Sequence, residues 1–208
     1  MPMKNLGAII VAAGMSSRMG EFKALKEIMG QPVIKYLIET FRRAGVSQIV
    51  VVTGNCGEQL EALLQEDKMV QTVRNENFAV SDMFTSAKLG MQAIKGKCER
   101  FFFTPVDSPA FSVETLEELL NVQEVVVKPM YKGKGGHPLL LDEALIEDLL
   151  AYKGTGGMKG ALKVQPFIAI SVEDEGILFN TNTPEEFDKM RLFLEKRAYI
   201  LNSKGLIG

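Results

Sequence analysis

The sequence predicts one α/β domain, a doubly wound, mostly parallel sheet with helices on both faces. Three observations predict it: nearly continuous apolar runs that recur along the 208 residues, amphipathic helical patterns between them, and a glycine-rich turn directly after the first run. The runs are AIIVAA (8–13), QIVVVT (48–53), MVQTV (69–73), RFFFTPV (100–106), EVVVKPM (124–130) and PFIAISV (166–172). Strands covered on both faces by crossover helices read as such runs rather than as strict alternation.

The helical patterns follow in order. In 32–43, Pro32 suits the first helical position, and Val33, Ile34, Leu37, Ile38 and Phe41 share one face. Leu60, Leu63 and Leu64 repeat that spacing, as do Phe84, Ala87, Met91 and Ile94, and then Leu116, Leu119 and Leu120. The segment 131–160 breaks the regularity, with GKGGHP, the acidic LDEALIEDLL and GTGGMKG. Two glycine clusters flanking a short helix predict a substrate-side subregion within the same single domain, 1–208. Near the C-terminus Thr183 and Glu186 form a capping box with Pro184 at the first helical position, which predicts a final helix.

Bulk properties narrow the function. A net charge of −2 lacks the basic excess of a nucleic-acid binder, so a small-molecule ligand is expected. Cys56 and Cys98 are isolated, with no metal-ligand spacing to the single His137, which predicts reduced thiols in a cytoplasmic protein. The apolar run 7–13 is too short to span a bilayer and reads as a strand, so no membrane association is expected.

In open α/β sheets ligands bind beyond the carboxyl ends of the strands, which directs attention to Gly14 onward, 53–55, 74–77 and 104–109. The stretch VAAGMSSRMGEFKAL (11–25) places Arg18 and Lys23 among glycines just past a strand, a natural anion cradle. It is not a Walker loop: five residues separate Gly14 from Gly20, and Lys23 comes three later. Read alone, each residue has a plainer use. Lys23 suits a solvated helix start, Asp107 a cap near Ser112, Asn182 a turn before Thr183, and His137 beside Pro138 a structural histidine.

AAGMSSRMGEFKAL (12–25) resembles the signature loop of the nucleotidyltransferases that mature the molybdenum cofactor. TPVDSP (104–109) is similar to that family's aspartate motif, GGHPLLL (135–141) to its Gly-His-Pro segment, and NTNTPEEF (180–187) to its C-terminal metal-side motif. NENFAVSDMFTSAKLG (75–90) is similar to a further stretch, with one extra residue. The resemblance covers nearly the whole chain and implies a Rossmann-like nucleotidyltransferase fold.

It also implies roles. Ala12, Ala13 and Gly14 approach the base and ribose; Arg18 and Lys23 bind phosphates; Thr53 and Ser86 complete the nucleotide site. Asp107 and Asn182 hold Mg²⁺, while His137 and Met83 face the second substrate, with Met15 and Met19 also near the pocket. Arg18, Lys23 and Asp107 form the catalytic group. The reaction implied is attack by an acceptor phosphate on the α-phosphorus of a nucleoside triphosphate, with pyrophosphate leaving. Fixed cations stabilise the charge that builds on departure, and an acceptor phosphate needs no general base.

Within that family, Asn180 and Asn182 resemble the guanylyltransferases, and Thr155 and Lys159 stand where cytidylyltransferases tend to carry an acidic and a basic residue. Ala13, the Gly-His-Pro segment and the stretch Met83 to Ser86 resemble the cytidylyltransferases. The resemblance implies transfer of CMP from CTP to the terminal phosphate of molybdopterin, with a molybdoenzyme as possible recipient of the product. Guanylyl transfer from GTP and a sugar- or alcohol-phosphate acceptor are the alternatives within the class. Non-catalytic binding of nucleotide or cofactor is the alternative outside it.

Overall fold

The computed structural model describes residues 5–14 and 22–203. Its first strand, β1 (Leu6–Ala12), is followed by a 3-10 turn at Lys23–Leu25 and a two-residue hairpin, β2 (Glu27–Ile28) and β3 (Gln31–Pro32). Met29 and Gly30 between them both have positive φ, 50° and 76°, as a tight hairpin turn demands. Next come α1 (Val33–Arg43), β4 (Gln48–Thr53), α2 (Gly57–Leu64), β5 (Val70–Arg74), α3 (Met83–Ile94), β6 (Arg100–Pro105) and α4 (Val113–Leu120). The chain then forms β7 (Val126–Tyr131), β8 (Lys134–Gly135), β9 (Leu139–Asp142), α5 (Ile146–Ala151), α6 (Gly157–Leu162), β10 (Ile168–Ser171) and α7 (Pro184–Ser203).

The main sheet runs β10-β7-β9-β6-β1-β4-β5, with β8 paired to β7. β1 lies parallel between β4 and β6, with Ala12 opposite Thr53 and Val11 opposite Pro105. The chain winds outward from β1 through β4 and β5, then jumps back to place β6 on the other side. That reversal is the topological switch point, and it leaves a crevice beyond the ends of β1 and β6.

Alternate residues of each inner strand bury on opposite faces. Ala8, Ile10, Ile49, Val51 and Phe102 join an apolar cluster with Leu37 and Phe41 of α1, Leu116 of α4 and Met190 of α7. Ile9, Val11, Val50, Val52 and Phe103 join a second with Ala87 and Met91 of α3, Leu149 of α5 and Leu162 of α6. Helices therefore cover both faces, as the sequence predicts. On the α3 face Gly90 makes the close fit possible: a Cβ there would lie 2.5 Å from Ile9 Cγ2 and 3.0 Å from Val52 Cγ2.

Three details differ from the sequence reading. Pro32 caps α1 with φ −56° and ψ 141°, and the helix begins one residue later, because Pro32 is still paired with Glu27. Leu139–Asp142 is a strand, antiparallel to both β6 and β7, so the glycine clusters of 131–160 flank a strand as well as a short helix. Its leucines are almost fully buried between two neighbours, which outweighs the helical look of the acidic residues that follow. The strand at the sheet edge is shorter than 166–172, spanning Ile168–Ser171.

The capping box forms as expected: Glu186 N donates to Thr183 Oγ1 at 3.2 Å, and Thr183 N donates to Glu186 Oε2 at 3.1 Å. Among the described residues no helix is long and apolar enough to cross a membrane.

Candidate functional site

The crevice at the switch point is lined by Val11 to Gly14 from the end of β1, Phe22 and Lys23 from the segment before β2, and Pro105 to Asp107 from the end of β6. Its opposite lip is the loop after β5 and the start of α3, with Phe78, Ser81, Asp82, Met83 and Ser86. Arg18, Met15, Met19 and Gly20 lie outside the described residues.

Three predicted residues from distant parts of the chain meet here. Lys23 Nζ donates to Asn182 Oδ1 at 3.1 Å and stands 3.4 Å from Asp107 Oδ2. Lys23 is only 9% exposed, so the reading of it as a solvated surface lysine fails. A buried ammonium requires such partners, since desolvating it alone is costly. Asp107 is not a helix cap either: Ser112 fills that place, its Oγ accepting from Thr115 N at 3.2 Å.

The backbone fixes this meeting. Val106 N donates to Val11 O at 3.0 Å, extending the β1–β6 pairing past Pro105, and Ser108 N donates to Pro105 O at 3.2 Å to begin the turn. Asp107 O then accepts from Thr181 N at 2.9 Å and from Thr181 Oγ1 at 3.2 Å. Thr181 thereby pins the segment before α7 against the end of β6, which carries Asn182 to the crevice. Asn182 is held in addition by its N–H, which donates to Glu186 Oε2 at 2.7 Å.

Among the described residues Asp107 Oδ1 is buried without a hydrogen-bond partner. An orphaned buried carboxylate oxygen fits a hard cation, which takes oxygen ligands and completes its shell with water and substrate oxygens. No group of three or more His, Cys, Asp or Glu side chains suited to a metal occurs among the described residues. A cation at Asp107 and Asn182 would therefore complete its shell with water or substrate oxygens.

The opposite lip is organised by Asn75, which sequence reasoning did not single out. Its Nδ2 donates to Ser81 Oγ at 2.8 Å and Ser86 Oγ at 2.9 Å, its Oδ1 accepts from Asn77 N at 3.0 Å, and its N–H donates to Thr53 O at 2.8 Å. A buried polar hub with all these bonds made holds the loop rigidly on α3. Its signal was an asparagine just past a strand. Asp82 caps α3, accepting from Thr85 N at 2.8 Å, and the Thr85 bonds hold its carboxyl below the usual carboxylate range. Met83 stands half-exposed beside it, while Ser86 is buried.

Two predicted residues sit apart from this arrangement. Thr53 is fully buried and its hydroxyl donates to Glu61 Oε1 at 2.7 Å, so only its carbonyl, through Asn75, bears on the crevice. His137 is not among the crevice-lining residues; its ring lies 6.3 Å from that of Phe103, and a cis peptide joins it to Pro138. Among the described residues its Nδ1 is buried without a partner, and burial lowers its pKa, opposed by the nearby Asp107 charge. Ala12 and Ala13 are buried and Gly14 exposed, and all three, at and just past the end of β1, line the crevice.

The chain is 24% identical over 186 residues to the molybdenum cofactor cytidylyltransferase of Escherichia coli strain K12, covering 89% of this chain and 95% of that protein. Among solved structures, a nucleotidyl transferase from Methanothermobacter thermautotroptrophicus superposes with a TM-score of 0.79 at 22% identity, covering 93% and 99% of the two chains. A manganese complex of a protein from Mycobacterium tuberculosis H37Rv gives a TM-score of 0.72 at 16% identity, covering 90% and 98%. The MobA-like NTP transferase domain matches residues 8–169, most of the chain and all of the crevice except the Asn182 segment. This protein belongs to the family of MobA-like NTP transferase domains and is a nucleotidyltransferase.

Proposed function

We propose that the protein transfers CMP from CTP to the terminal phosphate of molybdopterin, or its molybdenum form, in a Mg²⁺-dependent reaction that releases pyrophosphate. The observation that carries this reading is the meeting of Lys23, Asp107 and Asn182 at the switch-point crevice. Similarity along nearly the whole length to a molybdenum cofactor cytidylyltransferase supports the choice of substrates.

In this reading the backbone of Ala12, Ala13 and Gly14 receives the base and ribose, and the Asn75-supported lip with Ser86 closes over them. Lys23 and Arg18 neutralise the phosphates, while Asp107 and Asn182 supply oxygens to magnesium. When bound, that ion would offset the charge that develops between the α- and β-phosphates. An acceptor phosphate oxygen forms the new bond to the α-phosphorus. The bond from that phosphorus to the bridging oxygen breaks, and its electron pair leaves with pyrophosphate.

The acceptor phosphate is already ionised near neutrality, so no side chain need remove a proton. Met83 then serves the acceptor side, while His137, set apart from the crevice lining with a pKa lowered by burial, supports that side as a neutral ring without direct contact. Guanylyl transfer is favoured by the asparagine pair Asn180 and Asn182, and Thr155 and Lys159 also depart from the cytidylyltransferase pattern.

A pyrophosphate-release screen of CTP, GTP, ATP and UTP against molybdopterin and a few sugar phosphates tests the proposal. CTP with molybdopterin should give the highest kcat/KM by at least about tenfold. Preference for GTP would move the reading to the guanylyl branch, and release only with a sugar phosphate would overturn the acceptor.

A further inference from the structure

Lys23 occupies an unusual position for a residue whose proposed partner is a phosphate. Its ammonium lies within hydrogen-bond distance of Asn182 Oδ1 and beside Asp107 Oδ2, the side chains from which a divalent cation would draw its oxygens. The contact is built into the fold. The Lys23 side chain is 11% exposed, and Thr181 clamps the Asn182 segment to Asp107 by two hydrogen bonds.

We infer that Lys23 is a resident cation that keeps divalent metal out of the site until a nucleoside triphosphate draws it away. The inference rests on the reading of Asp107 and Asn182 as the metal's ligands. An ammonium and a divalent ion a few ångströms apart in a largely desolvated site repel strongly, so they cannot share Asn182 Oδ1. A triphosphate offers Lys23 oxygens of greater charge than a neutral amide. Once Lys23 turns to them, both Asn182 Oδ1 and Asp107 Oδ2 become available, beside Asp107 Oδ1, which has no hydrogen-bond partner among the described residues.

Metal and triphosphate are therefore coupled through one side chain. By linkage, each raises the affinity for the other by the same factor. The arrangement makes metal loading conditional on nucleotide and spares the empty enzyme an uncompensated carboxylate, because Lys23 balances Asp107 in the interval.

The test is Mn²⁺ binding to the full chain without nucleotide, followed by the electron paramagnetic resonance signal of free Mn²⁺. Lys23→Met should bind Mn²⁺ at least tenfold more tightly than the unaltered protein, about 1.4 kcal/mol. Lys23→Arg should stay as weak as the unaltered protein, because the positive charge remains. Lys23→Gln, which keeps a donor to Asp107 and Asn182 while losing the charge, carries the same expectation as Lys23→Met and serves if that variant does not fold.

A non-hydrolysable CTP analogue should tighten Mn²⁺ binding markedly in the unaltered protein and much less in Lys23→Met. Folded Lys23→Met and Lys23→Gln proteins that bind Mn²⁺ no better than the unaltered chain would overturn the inference. Failure of the underlying ligand assignment is distinguishable: adding Asp107→Asn to Lys23→Met would then leave the tightened binding intact.

Discussion

Replacing Asp174 by alanine should cost about 4 kcal/mol, although the residue lies outside the crevice. Asp174 is 8% exposed and accepts four hydrogen bonds from three elements. Its Oδ2 accepts from Ser112 N at 2.7 Å and Thr115 Oγ1 at 2.8 Å, and its Oδ1 accepts from Gly176 N at 2.8 Å and Arg197 Nη1 at 3.4 Å. Arg197 in turn donates to Ala110 O at 2.8 Å and to Tyr36 OH at 3.2 Å, so α7 is tied through it to the turn after β6.

Alanine leaves two backbone N–H groups without their acceptor, each worth about 1–3 kcal/mol when buried. The Thr115 hydroxyl can rotate and the partly exposed Arg197 keeps two partners, so they add little. For a chain of this size about 4 kcal/mol corresponds to a fall in melting temperature of about 8–16 °C, measurable by differential scanning calorimetry. Asp174→Asn, which keeps an oxygen, should lose about half as much. A fall below about 2 °C for the alanine variant would refute the view that this carboxylate holds α7, the turn before α4 and the Gly176 turn together.

Other perturbations separate the packing from the chemistry. Lys23→Ala should lower kcat by about a hundred- to thousandfold, the usual effect of removing one charge-stabilising group, with little change in circular dichroism. Gly90→Ala should destabilise by about 1–3 kcal/mol in denaturant titrations, because its methyl meets Ile9 and Val52 on rigid strands. Burial pushes the Cys98 thiol up to about 12, so a thiol reagent at pH 8 should label Cys56 rapidly and Cys98 only on unfolding. Hydrogen bonding from Arg74 holds the Glu61 carboxyl below its ordinary value of 4.5, so the unfolded chain binds its proton more readily than the folded one. The stability it contributes is present above pH 4.5 and lost as pH falls through the lower folded value, and Glu61→Gln should flatten that part of an acid-unfolding curve.

The parts of the fold legible in the sequence were those with strong local signals. β1, β4 and β6 are long apolar runs, and α7 announces itself through Thr183, Pro184 and Glu186. β9 was not legible, because three leucines followed by acidic residues suit a helix equally well until β6 and β7 bury them from both sides. Asp174 and Asn75 were missed for a related reason: a lone aspartate or asparagine near a turn looks the same whether it meets solvent or a buried set of donors.

The site was legible by motif and not by spacing. Lys23 meets Asp107 across 84 residues and Asn182 across 159, and no periodicity links such positions. The parallel pairing of β1 with β6 sets Asp107 at the crevice, and the Thr181 bonds to Asp107 O bring Asn182 to it. Thr53 shows the converse, a residue at the right strand end whose side chain the Glu61–Arg74 pair draws elsewhere.

The most direct test of the central claim is to follow label from CTP carrying radioactive α-phosphorus in the presence of molybdopterin and Mg²⁺. The account predicts that the label moves to the acceptor with one pyrophosphate released per transfer, and that Asp107→Asn stops both. Label that stays in CTP, or appears as free CMP at a rate indifferent to acceptor, would contradict it.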